Sequence, residues 1–377
     1  MSVVEIRPVR TRREKNLFLN LPWKIYRDWP AWVPPLRLSQ KELVGYRSHP
    51  FYEQAEIATF LAFCNGEPCG RIAAIDNHVH NQLYPDEKRG FVGFFESEND
   101  QQVANALFDA AREWLGTHGL HDLRGPTNPS INYEWGLLTD AFDLSPTFLM
   151  TYNPPYYVQL WEEYGFEKVQ ELYTYYGQKH ELSLIKDKVH FIVREASERF
   201  GIRLRPLDKR NFKAEVRTFL GIYNSALVGT WGYIPLSKNE IKHFSNSLRY
   251  LIVPELTILA EIDDKIVGCM FGLLDYNQRI KKIDGRLFPL GFLQLLTRRR
   301  EYKRLRLVST NVLPEYQRWG VGAVLAVNLI EPGLAWGGIE EAEFSWVLES
   351  NTLSRQTLEK GGLTREKTHR IYDWLST

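Results

Sequence analysis

The order hairpin, strand, helix, strand, helix occurs twice along this chain, and that recurrence limits what it can fold into more than any other feature. In the first half, EIATFLAFCN (from Glu56) and CGRIAAID (from Cys69) carry apolar runs either side of Asn65-Gly66-Glu67-Pro68, and a hairpin is expected. The strand-like GFVGFFES comes next, then QQVANALFDAAREWLGTHG, where Val103, Ala106, Leu107, Ala110 and Leu115 fall at helical spacing before Gly116 and Gly119. In the second half, ELTILAEID and KIVGCMFGLL predict a hairpin about Asp263-Asp264, RLRLVSTNVL a strand, and VGAVLAVNLIE a helix ending before Pro332. Each half then continues with a strand and a helix closed by glycine, NPPYYVQLWEEYGF and NTLSRQTLEKGGL. Identity between the halves is slight, but the shared order implies an internal duplication.

At 377 residues the chain exceeds what one core usually serves, so two domains are expected, over residues 1–180 and 200–377. The boundary should fall between Gly177 and Ile202, where the polar, helix-like KDKVHFIVREASERFG links the halves. Hydrophobic residues at 44% and charged residues at 25% are ordinary globular values and exclude extended disorder. Forty-seven basic against 46 acidic side chains exclude attraction of the whole protein to nucleic acid, although a local basic patch is compatible with these numbers. Cys64, Cys69 and Cys269 show no CxxC spacing, so buried, inert thiols in a reducing compartment are expected. No apolar run approaches the roughly 20 residues of a spanning helix, which predicts a cytoplasmic protein.

The segment richest in chemistry is Val312-Leu-Pro-Glu-Tyr-Gln-Arg-Trp-Gly-Val-Gly-Ala323, between a strand and a helix. Unpaired amides and the positive end of the helix dipole converge at such a junction and attract an anion. Gly320 and Gly322 have no Cβ to hold a diphosphate away, although on spacing alone they serve equally as turn formers.

The pattern Q/R-x-x-G-x-G/A after a strand, preceded by Pro-Glu-Tyr, resembles motif A of the GNAT acyltransferase superfamily, with Gln317, Gly320 and Gly322 at its defining positions. The resemblance implies that coenzyme A pyrophosphate binds at Gln317, Arg318, Trp319, Gly320, Val321, Gly322 and Ala323. Asn351 to Ser354, followed by Glu359-Lys-Gly-Gly362, looks like motif B, which implies contact of Asn351 and Ser354 with the pantetheine arm. The RGPTN, GLL and YNPPYY segments at Arg124, Gly136 and Tyr152 extend a similarity to a bacterial tandem-GNAT family over most of the chain. The implied fold is a mixed α/β tandem GNAT with two similar halves, and the implied activity is transfer of an acyl group from acyl-CoA to an amine acceptor, with no metal.

There are two departures. Leu358 stands in the motif B helix where many relatives have a tyrosine that protonates the leaving thiolate. The N-terminal half has Glu96-Ser-Glu-Asn-Asp100 where a glycine loop is expected, and those carboxylates would repel a diphosphate, so one cofactor site is predicted. A non-catalytic acyl-CoA-binding module and an aminoacyl-tRNA-dependent transferase of the same double fold are the alternatives.

For the chemistry itself, backbone amides near Val312 and Leu313 suit the acyl carbonyl, and Glu315 and Glu349 are carboxylates placed to take a proton through water. Asn128, Asn132, Tyr133 and Glu134 in the turn-rich GPTNPSINYEWG, together with Tyr156, are candidates for the acceptor; turn formation and core packing explain them equally. The apolar stretch from Leu287 to Leu296, followed by Arg298, Arg299, Arg300, Lys303 and Arg304, suits contact with an anionic membrane or a lid over a long acyl chain; a buried helix with a solvated basic end is the alternative.

Overall fold

A computed structural model describes residues 4–182 and 187–376. It divides into two compact units, each described by itself: residues 4–172, 277–291 and 367–376, and residues 173–182, 187–276 and 292–366. Of the stretch expected to link the halves, Lys186 lies outside the described residues; the rest forms a helix, Asp187–Phe200, that packs within the second unit.

The first unit opens with β1 (Val4–Pro8), α1 (Arg12–Ile25) and α2 (Arg37–Leu43). The hairpin comes next, β2 (Ala55–Cys64) and β3 (Glu67–Asn77), then α3 (His78–Leu83), β4 (Gly90–Ser97) and α4 (Gln101–Gly116). The short strands β5 (Leu123–Gly125), β6 (Thr127–Asn128), β7 (Glu134–Trp135) and β8 (Leu137–Leu138) lead to α5 (Tyr156–Tyr164). β9 (Glu167–Gln178) carries the chain into the second unit. There the elements are α6 (Lys179–Leu182), α7 (Asp187–Phe200), β10 (Arg203–Pro206), α8 (Phe212–Ala226), α9 (Lys238–Leu248), β11 (Thr257–Ile262) and β12 (Lys265–Leu274). After α10 (Asn277–Lys282) and α11 (Gly291–Leu296) come β13 (Arg304–Val312), α12 (Val321–Ala335), β14 (Glu341–Leu348), α13 (Thr352–Lys360) and β15 (Thr364–Trp374).

In the first unit β1 to β4 are successively antiparallel, β4 runs parallel to β5, and β5 pairs antiparallel with the end of β15. In the second unit β10 to β13 are successively antiparallel and β13 runs parallel to β14. The repeat predicted from the sequence is thus a repeat of sheet topology. Asn65 and Gly66, and again Asp263 and Asp264, have positive φ, as the tightest hairpin turns require.

α4 begins at Asp100, whose side chain accepts from the Gln102 amide, and buries Val103, Leu107, Phe108, Ala111 and Leu115 against β2 and β3. In the same core Trp161, Phe95, Phe108 and Phe166 interlock with ring centroids 4.6–5.7 Å apart.

Three expectations need correction. α12 does not stop before Pro332; it runs on to Ala335, with the Trp336 amide donating to the Pro332 carbonyl (2.9 Å). Cys64 and Cys69 are not free thiols; the hairpin brings their Cα atoms within 5.9 Å and they form a disulfide. Cys269 alone remains free, and burial pushes its thiol pKa far up. Finally, residues 277–291, which come after β12 in the chain, belong to the first unit. They are fastened there by Asp284, which accepts from the Arg37 guanidinium (2.7 Å) and the Trp23 indole, and by the Gly285 carbonyl, which accepts from the Arg37 amide (3.0 Å).

Candidate active site

The parallel strands of each unit pair only near their starts. In the second unit β13 and β14 are in register from Arg304 opposite Glu341 to Leu307 opposite Phe344, and pairing ends there. At that point β13 also bulges: Leu307 faces Gly272 and Ser309 faces Phe271, so Val308 is an extra residue. An extra residue in a bulge leaves its amide out of the ladder. Diverging strands likewise leave edge amides and carbonyls for an extended ligand that carries amides of its own.

Beyond the gap the chain turns through Pro314–Trp319 into α12. Gly320 is the N-cap with φ 78°, a left-handed conformation that favours glycine, and no side chain caps the helix. A Cβ at Gly322 would meet nothing nearer than 3.9 Å, so the amides at the start of α12 are approachable. Gln317 latches the turn to its strand by donating to the Val312 carbonyl (3.2 Å). Trp319 stacks on Phe200 of α7, centroids 4.8 Å apart, which makes it part of the packing. Arg318 is exposed beside these amides. The residues therefore fit a diphosphate: backbone donors, a helix N-terminus, one cation and no carboxylate in the turn itself after Glu315.

The amide of Leu313 donates to the Val267 carbonyl (2.9 Å), so the expectation that it polarises the acyl carbonyl is corrected. Val312 continues the ladder opposite Gly268. The bulge residue Val308, which no sequence signal marks, lies where β13 loses its regular pairing with β12. Glu315 is exposed and paired with Lys265 (3.2 Å); its own backbone amide and then that lysine hold its carboxyl below the usual range. Glu349 is half-buried at the end of β14, where its carbonyl accepts from the Arg355 guanidinium (2.8 Å). Asn351 caps α13 by accepting from the Ser354 amide (3.1 Å), which gives that pair a structural role.

At the base of the gap lies a buried polar relay. Arg306 Nε donates to Ser345 Oγ (2.9 Å), and Ser345 donates to Glu343 Oε1 (2.9 Å). Burial brings the Arg306 pKa down to about 10, against the pull of Glu343 and Asp275, so it stays charged at neutral pH.

The first unit shows the same bulge with a different occupant. Arg71 faces Glu96 and Ala73 faces Gly93, so β4 carries an extra residue, with Phe94 at φ 49°. Here β4 and β5 pair only at Gly90–Leu123 and Phe91–Arg124, and beyond that pairing the chain itself fills the gap. A Cβ at Gly93 would fall 1.6 Å from the Thr127 carbonyl oxygen. Asn128 accepts from the Phe94 amide (2.6 Å) and donates to Glu134 (3.2 Å).

Beside this plug Glu96 accepts from Arg71 (3.3 Å) and Tyr157 (2.8 Å), and Tyr156 donates to the Ser97 carbonyl (2.8 Å). Loss of water raises the carboxyls of both Glu96 and Glu134; Arg71 opposes it most at Glu96 and the Asn128 hydrogen bond at Glu134. Asn128, Glu134 and Tyr156 thus hold β4 and its surroundings together. Asn132 and Tyr133 are half-exposed on the loop between β6 and β7, where Tyr133 packs on His49 (5.3 Å). Of the apolar stretch at 287–296, Leu295 is buried, whereas Phe288, Leu290, Phe292 and Leu293 are exposed. No described helix is long and apolar enough to cross a membrane, and the described residues hold no group of three or more potential metal ligands.

No family model matches the chain. It is 32% identical over 371 residues to the bacterial ceramide synthase of Caulobacter vibrioides, covering 97% of this chain and 96% of that one. It is 30% identical over 379 residues to the protein YghO of Escherichia coli, covering 97% and 94%. In fold it is similar to a solved tandem GNAT protein from the clavulanic acid biosynthesis pathway, with a TM-score of 0.56, 11% identity, and coverage of 99% and 98%.

Proposed function

We propose, from the premise that this chain belongs to the tandem-GNAT acyltransferase family of the bacterial ceramide synthase, that it transfers the acyl group of an acyl-CoA to the amine of a long-chain amino alcohol. The observation that carries the donor half of this reading is the contrast between the gaps. Among the described residues, the second unit has a turn that offers glycine amides at a helix start beside the end of the β13–β14 pairing, whereas in the first unit Thr127 and Asn128 occupy the space beside Gly93 and Phe94. The pyrophosphate would take the amides from Gly320 to Ala323, with Arg318 beside them, and the amide-bearing pantetheine arm would lie along the diverging strands. The acceptor class rests on the relative's name alone: a ceramide is an N-acylated sphingoid base.

Within the chain, the Val308 amide would polarise the thioester carbonyl. Glu349 would take the amine proton through water as the carbon–nitrogen bond forms. Leu358 cannot serve the leaving thiolate. The departing coenzyme A thiolate takes its proton from water. Asn132 and Tyr133 remain candidates for the acceptor. The three cysteines take no part, since Cys64 and Cys69 are joined and Cys269 is buried with a raised pKa.

The test is calorimetry of coenzyme A with Gly320→Ala and Gly320→Glu. Both carry the backbone cost of a left-handed residue, but only glutamate adds a repelling charge. Affinity should fall at least about tenfold further for glutamate than for alanine. Equal affinities in wild type and both variants would remove the pyrophosphate from this turn.

A further inference from the structure

The second unit also carries a basic, apolar surface around Tyr250, α11 and Lys303. Phe292 and Leu293 on α11 are 37% and 44% exposed, and Tyr250 is 50% exposed. Leu295 is buried and its carbonyl accepts from the Tyr302 hydroxyl (2.8 Å), which anchors α11 while Phe292 and Leu293 keep part of their surface in solvent. Arg299 donates to the Tyr250 carbonyl and joins the helix to that tyrosine. The Arg249 guanidinium lies 4.6 Å from the Tyr250 ring, and Arg298 and Arg300 are exposed beside it. The acidic groups present are tied: Glu301 to Arg298 at 3.8 Å, Glu340 to Lys303, and Glu255 to Lys209 at 2.6 Å. The face therefore combines partly exposed aromatic and aliphatic side chains with an excess of guanidinium groups.

We propose that this face docks on an anionic lipid bilayer, with Phe292 and Leu293 entering the headgroup boundary while Arg249, Arg298 and Arg300 meet lipid phosphates. Charge decides the occupant. A second copy of the chain would bring the same arginines against one another, whereas an anionic leaflet satisfies both the rings and the cations. The exposure of Phe292 and Leu293 also argues against a lid closed over an acyl chain, which would turn them inward. The docking stands whether or not the acceptor assignment holds.

The experiment is flotation of the full chain with phosphatidylcholine vesicles, with and without phosphatidylglycerol, at low and high salt. Wild type should float with the anionic vesicles alone, and salt should release it. Arg298→Gln with Arg300→Gln should lower the partition coefficient about 25-fold, at roughly fivefold per arginine, and flatten the salt dependence. Phe292→Ser with Leu293→Ser should lower it about tenfold or more at every salt concentration. All four positions are exposed, so the thermal midpoint of each variant should match wild type and exclude unfolding as the cause. Wild type that stays unbound, or variants that float as wild type does, would overturn the proposal. So would a dimer that the serine pair dissociates without any change in vesicle binding.

Discussion

His80 shows how far one side chain can set the pH response of the fold. It is buried against Phe91 and Tyr84, with ring centroids 4.8 and 4.9 Å away, and its imidazole pKa is pushed down to about 4 by burial first and then by Arg124 and Arg89. A base whose folded pKa lies below its unfolded value is neutral in the fold, so the unfolded chain binds the extra proton. Stability is therefore full above about pH 6.5 and falls as pH drops towards 4. At pH 5 the loss from this residue alone is about 2 kcal/mol. Urea midpoints of His80→Leu measured at pH 7 and pH 5 should lie closer together than those of wild type; an unchanged separation would show that His80 titrates normally. Asp373 is the opposite case, a buried anion between two cations. It accepts from Arg124 at 2.7 Å through both oxygens and also from Arg89. Asp373→Asn leaves two buried guanidinium groups with Glu87, 3.3 Å from Arg89 and 3.9 Å from Arg124, as the remaining carboxylate beside them, and should cost up to about 3–5 kcal/mol in chemical unfolding.

Elements carry the next kind of information, because several residues that look functional are fixed by the helix or strand they belong to. Asn351 matches a motif that touches the cofactor, yet its carboxamide caps α13. Replacing it with serine keeps a cap and with alanine removes one, which for alanine only should cost about 1 kcal/mol of stability, read as a lower thermal midpoint. If instead both variants weaken coenzyme A to the same extent with stability unchanged, the carboxamide contacts the ligand. β4 and β13 make the same point for backbone. Each has one residue too many for its partner, and the bulge opens the sheet where the parallel neighbour departs. In β4 the opening is closed by Thr127 and Asn128, and Gly93 has no room for a side chain because a carbonyl stands where its Cβ would be. In β13 the opening leads into a glycine turn.

For the whole molecule the two topologically equal units should differ in function, with one nucleotide bound per chain. Titration of wild type with coenzyme A should saturate at one equivalent, and Gly320→Glu should abolish the whole signal instead of half of it. A second equivalent, or a residual site in that variant, would mean that the Thr127–Asn128 plug yields to ligand. The division of the chain is also not the simple one of consecutive halves. Residues 277–291 and 367–376 return to the first unit, held by Asp284 on Arg37 and by Asp373 on Arg124. Arg286 is already exposed; loss of the first contact in Arg37→Ala should loosen the backbone around it for trypsin, read as earlier cleavage within 277–291 than in wild type.

By itself the sequence determined the repeated order of elements, the hairpin turns at Asn65-Gly66 and Asp263-Asp264, and the glycine turn before α12. Each depends on periodicity and conformational preference over a few adjacent residues, which a chain carries with it whatever its surroundings. Tertiary structure alone decided that Cys64 meets Cys69, that α12 continues through Pro332, and that Leu313 commits its amide to Val267. It likewise decided that Val308 is the residue left over in β13, and that Asn128 and Glu134 serve the closed gap of the first unit. These outcomes turn on register, on which strand lies beside which, and on what else occupies the space. A one-residue change of pairing reverses every face of a strand without changing a letter of the sequence.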